Sequence, residues 1–180
     1  MGFSFEVMTL EVDESFADTT PKPKVAEQLA TRKNEAYRKR VGDDVVLTAD
    51  TVVILDDQIL GKPENEAEAK EMLQSLSGHK HFVITGVCIS SPDKAMSFSV
   101  STEVIFNDLS ASEIQFYIER FRPFDKAGAY GIQDWIGYTA VKNIRGCYYN
   151  VVGLPAAEVY QHLNEYFEIH PDGISDVSDR

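Results

Sequence analysis

Asp50 stands in the middle of an apolar, β-branched run, Val45-Val46-Leu47-Thr48-Ala49-Asp50-Thr51-Val52-Val53-Ile54-Leu55. Runs of this composition fill buried strands. An unpaired carboxylate in such surroundings is strongly disfavoured or stays protonated, so a cation, a metal ion or a charged substrate is expected to meet it. Lys62 follows in sequence, set between Gly61 and Pro63, two residues that fix a turn. A carboxylate and an ammonium at successive strand ends suit a phosphorylated, metal-bound ligand. The plain alternative ends the strand at Asp50, makes Asp50-Thr51 an ordinary turn and leaves Lys62 in solvent.

Other residues share the same electrostatic logic. Glu14 and Asp125 offer hard oxygen donors beside Asp50, and Mg²⁺ is typically held by one or two carboxylates plus substrate phosphates. Lys33, Lys62 and Lys126 are point positive charges for phosphate oxygens. A carboxylate near such a metal can take a proton from water, which provides a base for attack on phosphorus. Gln133 carries both a donor and an acceptor for a base edge. Taken singly, each has a duller reading: Glu14 solvated in an acidic loop, Lys33 as helix decoration, Asp125-Lys126 as a weak loop ion pair. His79 and His81 lack a third ligand nearby and are expected in solvent, and Trp135 reads as a packing or rim residue.

The elements that must position these groups follow from periodicity. Gly2 to Met8 alternates apolar and polar residues, as a strand does. An acidic, turn-rich stretch leads to a helix from about Lys24 to Arg40. After the Asp50 strand, Asp56-Asp57 reads as a hairpin turn. Ala69, Met72, Leu73 and Leu76 mark an amphipathic helix closed by Gly78. His81–Ile89 is an apolar strand interrupted by Thr85-Gly86, and Phe98–Phe106 alternates with one wet face. Ser110-Ala111-Ser112-Glu113 is a capping box that opens a helix stopped by Pro123. Asp125–Gln133 is punctuated by glycines, a strand is expected near Tyr138–Ile144, and Pro155 opens a last helix. Strands that alternate with helices and hairpins give a mixed α/β fold. Residues 1–168 are expected to form one domain and 169–180 a disordered tail.

The 180 residues suffice for one domain with a real core or two closely joined lobes. Asp and Glu total 29 against 17 Lys and Arg, a net charge of −12. That field repels polyanions such as DNA, and no basic run offsets it, so the balance argues against nucleic acid as a partner but says nothing against nucleotides. No run approaches the ~18 apolar residues of a membrane span, and no leader pattern opens the chain. A cytoplasmic location without a membrane partner is the expectation. Cys88 and Cys147 lack metal-type spacing and read as reduced core thiols.

Taken in order, several blocks resemble one family. Val12-Asp13-Glu14, Leu29–Lys33, Ala49-Asp50-Thr51-Val52-Val53, Gly61-Lys62-Pro63, Leu76-Ser77-Gly78, Asp125–Gln133 (DKAGAYGIQ) and Asn150–Pro155 (NVVGLP) look like the Maf (septum formation inhibitor) nucleotide pyrophosphatases. The resemblance runs from Phe3 to about Leu163. The DKAGAYGIQ form is similar to the branch acting on dTTP and UTP, and speaks against the branch acting on 7-methyl-GTP. What it implies is hydrolysis of a nucleoside triphosphate between its α and β phosphates, with a divalent cation, Mg²⁺ or Mn²⁺. Modified pyrimidine nucleotides are further substrates to expect.

In this resemblance Asp50 is the proton acceptor, and Glu14, Asp50 and Asp125 are the metal side of the site. Lys33, Lys62 and Lys126 hold phosphates, while Thr51 and Gln133 select the pyrimidine. The fold implied is α/β: a two-lobed mixed β-sheet flanked by helices, similar to inosine triphosphatase-like pyrophosphatases, with the site in the cleft. A homodimer is compatible with it. One family feature has no counterpart here, an opening strand and a Ser-x-Ser-Pro-Arg-Arg stretch that would bind phosphate. The sequence starts at Met1-Gly2, where that first helix would end, and an upstream helical element is expected. The rival expectation is therefore a weakly active or inactive nucleotide-binding protein with a role in cell division.

Overall fold

A computed structural model of the chain describes residues 1–172. Helix α1, Lys22–Arg38, precedes the strand β1, Val46–Leu55, and the short β2, Gln58–Leu60. Asp56 takes a left-handed φ of 51° and closes the β1–β2 hairpin at Asp56-Asp57. Helix α2, Glu66–Leu76, is capped by the Asn65 side chain and leads to β3, Lys80–Ser90, and β4, Ala95–Phe106. Helix α3, Ala111–Phe121, opens on the expected capping box, with Ser110 and Glu113 each accepting from the other's backbone. A single 3-10 turn, Ala127–Ala129, precedes α4, Trp135–Thr139, β5, Val141–Arg145, α5, Tyr148–Val152, and α6, Ala156–Glu165.

The strands form one sheet in the order β2-β1-β3-β4-β5, antiparallel at every pairing. The α/β class and the helix-flanked sheet expected from the sequence are what is found. Asp50 lies inside β1, paired with Gly86, and Thr51 pairs with Thr85. The alternative of a strand ending at Asp50 is thereby excluded, and the Thr85-Gly86 interruption is the stretch that faces it.

Side chains alternate across a strand, so β1 serves two neighbourhoods. On one face α1 packs its Val25, Ala26 and Leu29 against Val52, Ile54 and Ile84. Thr48 on that face donates to the Ala30 carbonyl at 2.7 Å. The helix approaches closely at Gly86, where any Cβ would collide with the backbone of Ala26 and Glu27. The opposite face carries two clusters. One gathers Val53, Val83 and Phe106 with α2, α3 and α4; the other gathers Val87 and Ile89 with Val159, Leu163 and Phe167 of the α6 region.

Three local expectations are corrected. Residues 2–8 form no strand, and Phe5 and Val7 are each 82% exposed. Alternation supplies one apolar edge but no partner: the Tyr37 hydroxyl holds Leu10 N and Met8 O, and Asp172 N donates to Gly2 O. Tyr138 lies in α4 rather than in a strand, because Gly137 sits against the Ile132 carbonyl and closes a short turn of helix before β5. His81 is fully buried, not solvated. With the strand beginning at Lys80, the period of two turns Lys80 and Phe82 outward and His81 inward. Residues 169–172 include the buried Pro171 and Ile169 packed on the α6 cluster. The rest of the expected tail, residues 173–180, lies outside the described residues.

Candidate active site

A hollow of about 340 Å³ opens at β1, and seven of the eight candidate residues line it: Lys33, Asp50, Thr51, Lys62, Asp125, Lys126 and Gln133. The eighth, Glu14, reaches it through the lysines. Lys33 Nζ lies 2.7 Å from Glu14 Oε1 and donates to Asp50 Oδ2, and Lys62 Nζ is 3.5 Å from Glu14 Oε2. Four residues from α1, β1, the loop after β2 and the N-terminal stretch thus form one alternating chain of charge.

Burial alone would pull the Lys33 ammonium down. Its hydrogen bonds to Asp50 and Glu14 more than offset this and hold its pKa above the ordinary value. The hydrogen bond from Lys33 likewise keeps the Glu14 carboxyl below its ordinary value, against a smaller opposing effect of burial. Asp125 and Lys126 pair with each other, Lys126 Nζ lying 3.2 and 3.1 Å from the two Asp125 oxygens. Among the described residues no group of three His, Cys, Asp or Glu is close enough to hold a metal. Two carboxylates on one ammonium do fit a cation that takes its remaining oxygens from phosphates and water.

The glycine-punctuated block is held to the site at both ends. Gly128 N donates to the Gly61 carbonyl at 2.9 Å, which ties the block to the turn carrying Lys62. Gly128 takes a φ of +69°, and a Cβ there would press on Val53. At the other end the buried Tyr117 of α3 accepts from Gly131 N at 3.0 Å and donates to Asp134 Oδ2 at 2.8 Å. Desolvation raises the Tyr117 phenol well above its ordinary pKa, so it remains a neutral donor. This clamp brackets Gln133, which stands exposed at the rim. Tyr130 in the same block meets His81 Nε2 at 2.8 Å, and burial pushes the imidazole pKa down to about 4.

Asp50 and Thr51 are consecutive, so they project to opposite faces of the sheet. Asp50 meets α1, while Thr51 meets Thr85 at 2.8 Å on the α5 side. β2 pairs only with Val53–Leu55. Alongside Val46–Val52, opposite β3, no strand stands among the described residues, and the hollow wraps around that margin.

A second hollow runs along the outer side of α1, between Lys24, Glu27, Gln28, Thr31, Arg32 and Glu35. Its charges are largely paired: Glu27 accepts from Lys24 and Ser97, and Arg32 donates to the Asp13 and Ser15 carbonyls. No chemistry gathers there.

Residues 1–166 match the family described as Maf-like protein. The chain belongs to the Maf-like family. A dTTP/UTP pyrophosphatase of Parabacteroides distasonis is 45% identical over 168 residues, covering 92% of this chain and 87% of that one. Its counterpart in Phocaeicola vulgatus is 45% identical over 167 residues, covering 92% and 86%. A dTTP/UTP pyrophosphatase of Porphyromonas gingivalis is 47% identical over 161 residues, covering 88% and 81%.

Three residues to which the sequence alone assigns no role, Tyr117, Thr85 and Asn150, support the site from behind. Tyr117 looked like one more member of an apolar helical stripe. Thr85 was a polar break in a strand, and only its register with Thr51 gives it meaning. Asn150 is fully buried, donating to Val83 O and Thr102 Oγ1, each at 3.0 Å. Its place in the NVVGLP block was the available signal. No helix among the described residues is long and apolar enough to cross a membrane.

Proposed function

We propose that this chain hydrolyses dTTP and UTP to the nucleoside monophosphate and pyrophosphate. The observation that carries the reading is the shared hollow: carboxylates and ammoniums meet on the α1 side of β1, and Thr51 and Gln133 stand around the margin of the same strand. The relatives named above supply the substrate class.

Asp50 takes the proton as a water oxygen bonds to phosphorus. The P–O bond bridging the α and β phosphates breaks, and pyrophosphate leaves with the electron pair. Lys33 turns from Asp50 to a phosphate oxygen, which frees the base, while Lys62 and Lys126 take further oxygens. Glu14 and Asp50 would hold a divalent cation, Mg²⁺ or Mn²⁺, with Asp125 at the hollow's edge. When bound, that cation neutralises phosphate charge. Thr51 and Gln133 read the pyrimidine edge. A cytoplasmic enzyme, monomeric or homodimeric, is the setting we infer.

Pyrophosphate release from a panel of nucleoside triphosphates, with Mg²⁺ or Mn²⁺, tests the reading. Turnover of dTTP and UTP that vanishes in Asp50→Ala is expected; equal activity in that variant rejects the role of Asp50.

A second reading has one observation in its favour. The Asp50 carboxylate is already engaged by Lys33, and a Lys33 that stays there would leave a protein that binds nucleotide without turning it over. Saturable nucleotide binding with no pyrophosphate release would identify it.

A further inference from the structure

Thr85 is fully buried and stands opposite Thr51 in the β1–β3 ladder. Its hydroxyl oxygen lies 2.8 Å from the Asn150 carbonyl oxygen and 2.8 Å from Thr51 Oγ1. A hydroxyl has one proton to donate, and a carbonyl can only accept. The Thr85 proton therefore points at Asn150. Between the two threonines only one assignment remains, in which Thr51 donates to Thr85. The proton of Thr51 is then used inside the protein, and lone pairs are all its oxygen can turn to the hollow.

The far end of this relay is fixed. Asn150 donates its side-chain amide to Val83 O and to Thr102 Oγ1, and Thr102 in turn donates to the Cys147 carbonyl at 3.2 Å. The Asn150 carbonyl also receives Gly153 N at 3.1 Å. None of these partners is free to reverse the direction of donation.

We propose that the Thr51–Thr85–Asn150 relay sets the polarity of base recognition. It makes Thr51 an acceptor only, so that the hollow takes a base whose ring N3 carries a hydrogen to donate to it. The inference rests on the pyrimidine nucleotide reading above and deepens it. Uracil and thymine carry N3–H, a donor, whereas N3 of cytosine is an acceptor and would set lone pair against lone pair. A site built on one hydrogen-bond polarity rejects the opposite one far more strongly than shape alone does. Thr85 acts here as a positioning residue, through Thr51.

The experiment measures kcat/KM for UTP and CTP in the wild-type chain, Thr85→Val and Thr85→Ser. Valine keeps the shape of threonine, and Gly153 N still satisfies the Asn150 carbonyl. The Thr51 proton is then free to turn outward. Wild type should favour UTP, Thr85→Val should shrink that preference about tenfold or more, and Thr85→Ser should restore it. Thr85→Ala replaces the valine variant if the latter does not fold. A folded valine or alanine variant that keeps the wild-type ratio, or loses both activities in proportion, overturns the relay while leaving the pyrimidine reading intact. A wild type that does not prefer UTP over CTP also overturns it. A wild type inactive on both dTTP and UTP sinks the parent reading and this inference together.

Discussion

Lys33, on α1, is ion-paired to Asp50 in the middle of β1. Their side chains are only 22% and 11% exposed, and the same ammonium reaches Glu14 at 2.7 Å. Helix and strand are therefore joined at the residue proposed above as the base. Because each charge is the other's main compensation, neither can be removed quietly.

Lys33→Met leaves Asp50 largely desolvated beside an apolar side chain. Breaking a fully buried pair costs about 3–5 kcal/mol; the residual exposure here lowers the expectation to about 1–3 kcal/mol. Urea denaturation should show that loss, and kcat/KM for UTP should fall at least tenfold. Unchanged turnover would remove Lys33 from the phosphate side of the site.

Asp50→Asn keeps the size of the side chain and removes the carboxylate proposed as the base. A reduction of about 10²- to 10⁴-fold in kcat is expected, with nucleotide binding by calorimetry retained. A variant that loses binding and rate together would instead make Asp50 a binding group.

His81 provides a pH test of the fold. Its folded pKa, about 4, lies below the ordinary 6.5, so the unfolded chain binds the proton more readily. Stability is full above pH 6.5 and is lost as pH falls from there toward about 4, by roughly 3 kcal/mol in total. The depressed Glu14 carboxyl acts in a different window: its contribution is present above its ordinary 4.5 and is lost as pH falls below that, through its lower folded value. Denaturation curves at pH 7 and pH 5 therefore isolate His81, and the difference between them should nearly disappear in His81→Gln.

Tyr117→Phe removes one hydroxyl and two hydrogen bonds from the turn that carries Gln133. A loss of about 1–2 kcal/mol is expected. The kinetic signature should be a raised KM for dTTP and UTP with kcat changed less, since the clamp holds Gln133, proposed above to read the base, and not the carboxylates. A pure fall in kcat would contradict that division.

Gly86→Ala is expected to be more damaging than its size suggests. The added methyl meets backbone rather than a movable side chain, so α1 must lift from β3 and carry Lys33 away from Asp50. Overpacking of this kind costs about 1–3 kcal/mol or more. Both the thermal midpoint and kcat/KM should drop; loss of stability with full activity would show that α1 does not set the ion pair.

Much of the candidate site was legible because chemistry and apolar pattern conflict in the sequence. Asp50 in a β-branched run and Gln133 at the end of a glycine-rich block both stood out, and the hollow brings them together. The capping box at Ser110 and the Asp56-Asp57 turn were equally readable, since caps and turns depend on neighbours in sequence. What was not legible depends on register. Thr85 acquires a role only when paired with Thr51, Tyr117 only when α3 reaches Gly131, and His81 only when the first residue of β3 is known. The alternation of residues 2–8 misled for the converse reason: period supplies a face, but a strand also needs an edge to join.

The pleat of β1 places the acid and the neighbouring hydroxyl in the care of different parts of the molecule. The surroundings of Asp50 come from α1, while those of Thr51 come from α5 and the far side of β3. Changes beneath one need not disturb the other, so on the proposed mechanism nucleotide choice can be redesigned from the Asn150 side while the hydrolytic apparatus stays as it is.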